Sequence, residues 1–237
     1  EWAEHYGLGF EWKLTEALTL DVEGYWSRRH DLAERSDSVT VEGGDSGFAS
    51  INPARFESTG TGQSYGVEML LKHEVTDRLY GWISYTLAFT EADSGQEDGQ
   101  GGAGEAGGGG RLNQPHNMVV VASYKWPGNW ETGLRFRLGS GNADTPVVGD
   151  TYDGDEGFYR GLQGDDNTTR QPLFHQLDLR IERTWIFKAW ELAAFLDLQN
   201  VYNAENPEFT TYDYRFRNSA KVRGLPVFPS FGVRGSF

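Results

Sequence analysis

Apolar side chains recur at every second position along most of this chain, a period that marks strands with two unlike faces. From Tyr6 to Leu14 one parity carries Leu8, Phe10, Trp12 and Leu14, and the other Gly7, Gly9, Glu11 and Lys13. From Leu18 to Trp26 the apolar parity is Leu18, Leu20, Val22 and Trp26, against Thr19, Asp21, Glu23 and Tyr25. Only Thr15, Glu16 and Ala17 separate the two runs, which predicts a tight hairpin. The unit recurs. Tyr65, Val67, Met69 and Leu71 lead into a turn around Thr76 and Asp77, and Leu79, Ile83, Tyr85, Leu87 and Phe89 follow it. Met118, Val120, Ala122 and Tyr124 lead into Pro127, Gly128 and Asn129, and Thr132, Leu134, Phe136 and Leu138 come out. Leu177, Leu179 and Ile181 lead into a turn near Lys188, and Leu192, Ala194, Leu196 and Leu198 come out. With a last run from Phe231 to Phe237, the pattern predicts nine strands.

The connections alternate in length. Short turns lie near Glu16, Asp77, Gly128 and Lys188, and long connections run roughly from Arg29 to Ser64, Glu91 to Asn113, Ser140 to Gln171 and Val201 to Pro226. Several loops longer than about 12–15 residues are rare in compact domains, whereas outer-membrane barrels combine short periplasmic turns with long extracellular loops. The mean hydropathy is −0.58, and no stretch approaches the roughly 18 consecutive apolar residues of a membrane helix. Alternation accounts for that, since a membrane barrel averages out as hydrophilic. Five of the eight tryptophans, Trp12, Trp126, Trp130, Trp185 and Trp190, lie close to short turns, as an aromatic girdle at a membrane interface requires. Arg183 breaks the apolar parity after Ile181, but it sits beside Trp185 and a short turn, where it can snorkel. Nine strands leave two unpaired edges. A single-chain bacterial barrel has an even strand count, so further strands are expected from an upstream segment or a partner chain.

The formal net charge is −14, and the absence of Lys/Arg clusters argues against nucleic-acid binding. There are no cysteines, which excludes thiolate metal sites, a cysteine nucleophile and a disulfide scaffold. No cofactor is expected. Asp150, Asp153 and Asp155 lie among glycines in an acidic loop that runs to Asp166 and are weak candidates for Ca²⁺, although the spacing is not that of an EF-hand. The run from Gly99 to Gly110 lacks the Lys-Ser/Thr of a phosphate cradle and reads as a loop tip. Ser36, His30 and Asp31 lie in a loop without a nucleophile elbow, so the chain is not expected to be an enzyme. No signal peptide opens it, and Glu1 leads almost directly into a strand, as in a mature or truncated piece.

The end of the chain, RGLPVFPSFGVRGSF from Arg223 to Phe237, resembles the final strand of TonB-dependent outer-membrane receptors. DLQNVYNAENPE from Asp197 to Glu208 is similar to the family's penultimate strand and its exit, and LNQPHNMVVVASYKW from Leu112 to Trp126 is similar to a strand that enters after a long loop. GQSYGVEMLLKHEVTDRLYGWISYTLAFTEA and LDLRIERTW fit the same pattern. The resemblance implies an all-β transmembrane antiparallel barrel in the bacterial outer membrane. Residues 1–237 would be about nine carboxy-terminal strands of a larger barrel of some 22, with the plug domain absent from this chain. It also implies TonB-energised uptake of a solute that the sequence does not name. The implied partners are outer-membrane lipid, upstream strands and a plug, TonB through the missing amino-terminal part, and the barrel-assembly machinery, which reads the terminal Phe237. A receptor-like barrel serving as a structural subunit, or half of a split barrel, is the alternative. The polar parity would face the lumen and plug through Glu68, Lys72, Arg135, Arg137, Asp178, Arg180, Glu182 and Asp197.

Overall fold

The computed structural model describes residues 1–237 except 36–38, 44–48, 54–55, 77, 94–113 and 166. The run from Gly99 to Gly110, together with Ser36, Asp77 and Asp166, therefore lies outside the described residues. Nine strands form one antiparallel sheet in chain order. They are β1 (Trp2–Lys13), β2 (Leu18–Arg35), β3 (Phe56–His73), β4 (Leu79–Asp93), β5 (His116–Trp126), β6 (Trp130–Gly139), β7 (Phe174–Ile186), β8 (Glu191–Gln199) and β9 (Phe228–Ser236). Each pairs only with its chain neighbours, so β1 and β9 are edges. The nine strands are those expected from the alternation. No helix among the described residues is long and apolar enough to cross a membrane.

Register carries the two parities intact across the sheet. Phe10 faces Val22, Val22 faces Met69, Met69 faces Tyr85 and Tyr85 faces Met118. Farther along, Leu134 faces Leu179, Leu179 faces Leu198 and Leu198 faces Pro229. A slip of one residue anywhere would move a whole strand's apolar set to the wrong face. The apolar face is not covered: Leu8 is 84% exposed, Phe231 90% and Val233 73%. Among the described residues only Ala143 and Ala193 are buried hydrophobic residues. A sheet this apolar on one side with almost no core is not the wall of a water-filled sandwich.

The short turns are held by local bonds. Thr15 Oγ1 accepts the backbone N–H of Leu18 at 3.0 Å, and Thr76 Oγ1 accepts that of Leu79 at 3.3 Å. Between Trp126 and Trp130, Gly128 and Asn129 adopt φ of 80° and 59°, a left-handed conformation that glycine and asparagine tolerate best.

The long connections differ from the loops expected. β2 and β3 continue well past Arg29 and Ser64, to Arg35 and from Phe56, through register shifts near Leu32. Three connections also carry hairpin ribbons of their own: Val39–Gly43 with Ala49–Pro53, Val147–Asp153 with Phe158–Gln163, and Pro207–Tyr212 with Ser219–Arg223. The pairing of backbone groups, with no alternation to announce it, builds these ribbons. Replacing Gly128 by Val forces a β-branched residue to φ of 80°. The expected cost is about 1–2 kcal/mol, read as a lower denaturant midpoint of the full-length protein in detergent.

Candidate functional site

Strand alternation brings most of the charged residues onto one face, and the register sets who meets whom. Asp178 of β7 lies directly opposite Arg135 of β6. One Asp178 oxygen accepts both Nε and Nη2 of Arg135, at 3.0 and 2.7 Å. The other accepts Gln176 Nε2 at 2.6 Å and the backbone N–H of Asn200 at 3.0 Å. Arg180 faces Asp197 across β7 and β8 and donates to it at 3.1 Å. It also donates to Glu182 at 2.6 Å, and Glu182 accepts Arg234 of β9 at 3.0 Å. The Arg180 guanidinium lies 4.0 Å from the centre of the Phe195 ring, and Phe195 in turn lies over Gly232, where any Cβ would meet the ring at 2.4 Å. Glu131 accepts Ser123 Oγ beside this network. Of these, Arg135, Asp178, Arg180, Glu182, Asp197 and Arg234 line a cleft of about 610 Å³ that also includes Tyr80.

Arg135, Asp178, Arg180, Glu182 and Asp197 are thus brought together on one face. Three of the named residues stand apart: Lys72, Arg137 and Glu68. Lys72 turns to Glu74 beside the short turn, at 2.8 Å. Arg137 lies 5.5 Å over Phe174, and its Nε has no hydrogen-bond partner. Glu68 faces Glu23 directly, and Glu11 faces Asp21. Like charges opposed across strands are destabilising, and no cation pairs with these four among the described residues. Arg234, Glu131, Gln176 and Phe195 were not singled out from sequence. They lie on the same face of neighbouring strands, and their register would have found them.

The exit from β8 explains the second quoted motif. Asn200, 1% exposed, donates through Nδ2 to the carbonyls of Ala204 and Leu225, both at 3.0 Å, and its Oδ1 accepts the Ala204 N–H at 2.7 Å. Asn206 closes on both backbone groups of His175 in β7, at 3.0 and 2.9 Å. Two asparagines replace the ladder where the chain leaves the sheet, and Asp178 is anchored from below by the first of them.

On the apolar face the aromatic residues form two rows. Near the short turns, Trp126 and Trp130 face each other, Trp126 donating from Nε1 to Thr132 at 2.9 Å. Trp12 faces Leu20 and Trp185 faces Leu192. Trp190 stacks on Phe187 at 4.5 Å and lies 6.2 Å from the Phe237 ring. Toward the other end stand Tyr6 with Trp26 and Tyr65 with Phe89, at 5.7 and 5.5 Å between ring centres. This second row stands out less in the sequence, because its members are mostly Tyr and Phe away from the short turns.

Beyond that row two ribbons dock. Tyr159 meets Tyr214 edge-on at 6.1 Å, Arg215 lies over both rings, and Arg217 reaches Asp150 at 3.4 Å. Phe216, at φ of 56°, packs onto Gly161, where a Cβ would come within 2.8 Å of its ring. Asp153 accepts the backbone N–H groups of Asp155 and Glu156 and binds Arg160 at 2.9 Å. Asp150 and Asp153 are therefore engaged by arginines. Among the described residues no group of three or more His, Asp or Glu is placed to hold a metal ion.

A model of the family described as TonB dependent receptor-like, beta-barrel, matches residues 2–204. The chain belongs to the TonB-dependent receptor β-barrel family. Solved structures agree on the fold. The ferric citrate transporter FecA in its unliganded form aligns over 99% of this chain and 31% of its own, at 17% identity and a TM-score of 0.59. The ferric-catecholate import receptor Fiu from E. coli K12 aligns over 99% and 27%, at 13% identity and 0.60. The outer-membrane transporter YddB from Escherichia coli aligns over 99% and 32%, at 10% identity and 0.62. At such identities the likeness carries the fold alone. The receptor chain spans about a third or less of these proteins. A comparison with curated proteins finds no match. Like its family, the receptor barrel is a bacterial outer-membrane protein.

Two outcomes follow from these contacts. Asp178→Ala strands Arg135, Gln176 and the Asn200 N–H, and a loss of about 2 kcal/mol is expected in the unfolding of the full-length receptor in detergent. Asp213, in the turn of the second ribbon, accepts Asn218 Nδ2 at 2.7 Å and the N–H groups of Arg215 and Arg217. The Asn218 side chain and these amides outweigh partial desolvation and hold its carboxyl below the ordinary 3.8. A depressed carboxyl stabilises above its ordinary value and loses that contribution as pH falls through its folded value. The protection factors of the amides of residues 213–218, taken relative to unstructured amides at the same pH, are therefore expected to be high at neutral pH and to fall below pH 3.8.

Proposed function

We propose that this barrel segment is part of the wall of a ligand-gated outer-membrane importer energised by TonB. The apolar face meets lipid and the polar face lines a lumen occupied by a plug. The observation that carries the reading is the contrast between the two faces. Outward side chains are apolar and exposed, while inward ones form an ion-pair lattice beside a strip where Glu11 opposes Asp21 and Glu23 opposes Glu68. From Phe89 to Leu79 the strand makes ten residue-to-residue steps, about 33 Å. A tilt of roughly 40° reduces this to about 25 Å, the height of a barrel's lipid-facing band.

The two edges need strands, because an unpaired backbone group in lipid costs several kcal/mol. The nine strands are then the carboxy-terminal nine of a larger barrel. Glu11, Asp21, Glu23 and Glu68 favour a plug that presents arginine or lysine to β1–β3. FecA and Fiu carry ferric citrate and ferric-catecholate in their names, and solutes of that kind are the first to test here. Nothing in the residues favours catalysis.

The test is the intact mass of the denatured polypeptide extracted from outer membranes, followed by uptake. A mass far above 26.5 kDa, with solute uptake that disappears both on gene deletion and on loss of TonB, is the expected outcome. A mass near 26.5 kDa with a second polypeptide completing the barrel would favour a split or structural subunit instead. In the full-length receptor, Glu68→Gln relieves repulsion from Glu23 but removes the attraction for the plug. Faster proteolysis of the plug, with the barrel still heat-modifiable, is the expected readout.

A further inference from the structure

The apolar face holds one charged side chain in an unusual setting. Arg183 of β7 shares the parity of Ile181 and Trp185, opposite Trp130 on one side and Ala194 on the other. Its guanidinium lies 5.1 Å from the Trp130 ring centre and 5.1 Å from that of Trp185. No ion pair or hydrogen bond to its side chain occurs among the described residues, and its Nε is buried without a partner. On the polar face Arg135, Arg180 and Arg234 each sit on a carboxylate, and Arg137 lies over the single ring of Phe174. Indole faces orient a guanidinium and attract it, but they do not neutralise it. Stacking covers the faces of the guanidinium and leaves its edge N–H groups to seek an acceptor.

The position along the strand says what acceptor is at hand. Arg183 is three residues from the end of β7 at Ile186, beside a short turn, and in such barrels short turns are periplasmic. The side chain is therefore level with the phospholipid headgroups of the periplasmic leaflet. We propose that Arg183, caged by Trp130 and Trp185, binds the phosphate of an anionic phospholipid through its guanidinium edge. A planar guanidinium donates two parallel N–H groups to phosphate oxygens. Next to it, the row continues through Ala194 to Val233, and the row below ends in Gly235 beside Leu192. Ala194 and Gly235 add little bulk beside Arg183, and Leu192 and Val233 offer apolar contact for the lipid's chains. The proposal rests on the lipid-facing assignment of the apolar face.

The test is native mass spectrometry of the full-length receptor in detergent, titrated with phosphatidylglycerol, for the wild type, Arg183→Gln and Arg183→Lys. The wild type is expected to retain one lipid, and Arg183→Gln to show a roughly five-fold fall in occupancy. Arg183→Lys is expected to fall between them, keeping the charge and losing the planar fork. Equal retention by the wild type and Arg183→Gln overturns the site. Displacement of the lipid by inorganic phosphate would identify a free-phosphate site and also overturn it. Should Arg183→Gln fail to assemble, as judged by heat-modifiable migration, Trp185→Leu supplies the comparison, and unchanged retention there overturns the cage. Recovery of the full chain from the soluble fraction overturns the lipid-facing reading itself, and the lipid site with it.

Discussion

A backbone N–H or C=O left unpaired in hydrocarbon costs several kcal/mol, and water is not there to relieve it. A chain in that solvent that does not fold as a helix must give every strand a neighbour on each side. Antiparallel neighbours in chain order meet the demand with the shortest connections, which is the topology of this sheet. Everything else follows from the pleat. It sends alternate side chains to opposite sides, so one sequence has to satisfy lipid and lumen at once. Stability here does not come from a core: the sheet has almost none. It comes from ladder bonds that have no competitor and from the solvent each face prefers.

That dependence explains what was legible. Nine strands, their order and their short turns could be read because alternation identifies each strand and a tight turn fixes its register. The tryptophans beside the turns were legible for the same reason. The extension of β2 and β3 beyond Arg29 and Ser64 was not, since strands that rise above the membrane face water on both sides and need no alternation. The ribbon Val147–Asp153 reads VVGDTYD, with no period at all. Its pairing is held by backbone bonds and by docking of Tyr159 and Gly161 against Tyr214 and Phe216. Individual charges such as Arg135 and Asp178 were legible as a set, because parity collects them. Their partners were not, because pairing depends on register across strands far apart in sequence.

The turn-side asparagines show how the sheet hands over to irregular structure. Where β8 ends, Asn200 and Asn203 adopt φ of 52° and 53°, which few residues other than glycine accept. Asn200 then satisfies two carbonyls and one N–H that the ladder has released. Its own N–H fixes Asp178, which fixes Arg135. A sharp exit from the wall and a charge in the wall are one construction.

The polar face is divided. From β6 to β9, Arg135 pairs with Asp178, Arg180 with Glu182 and Asp197, and Arg234 with Glu182, and Phe195 supports Arg180 from beside. Such a surface is preorganised, and little is gained by breaking it to meet something else. From β1 to β3 the opposite holds, with Glu11 against Asp21 and Glu23 against Glu68. Opposed carboxylates raise the energy of the isolated wall, and a cation arriving between them relieves repulsion as well as gaining attraction. The two halves therefore differ: the second is largely paired within itself, and the first carries carboxylates opposed across its strands. Within one sheet, the register alone decides which half is which.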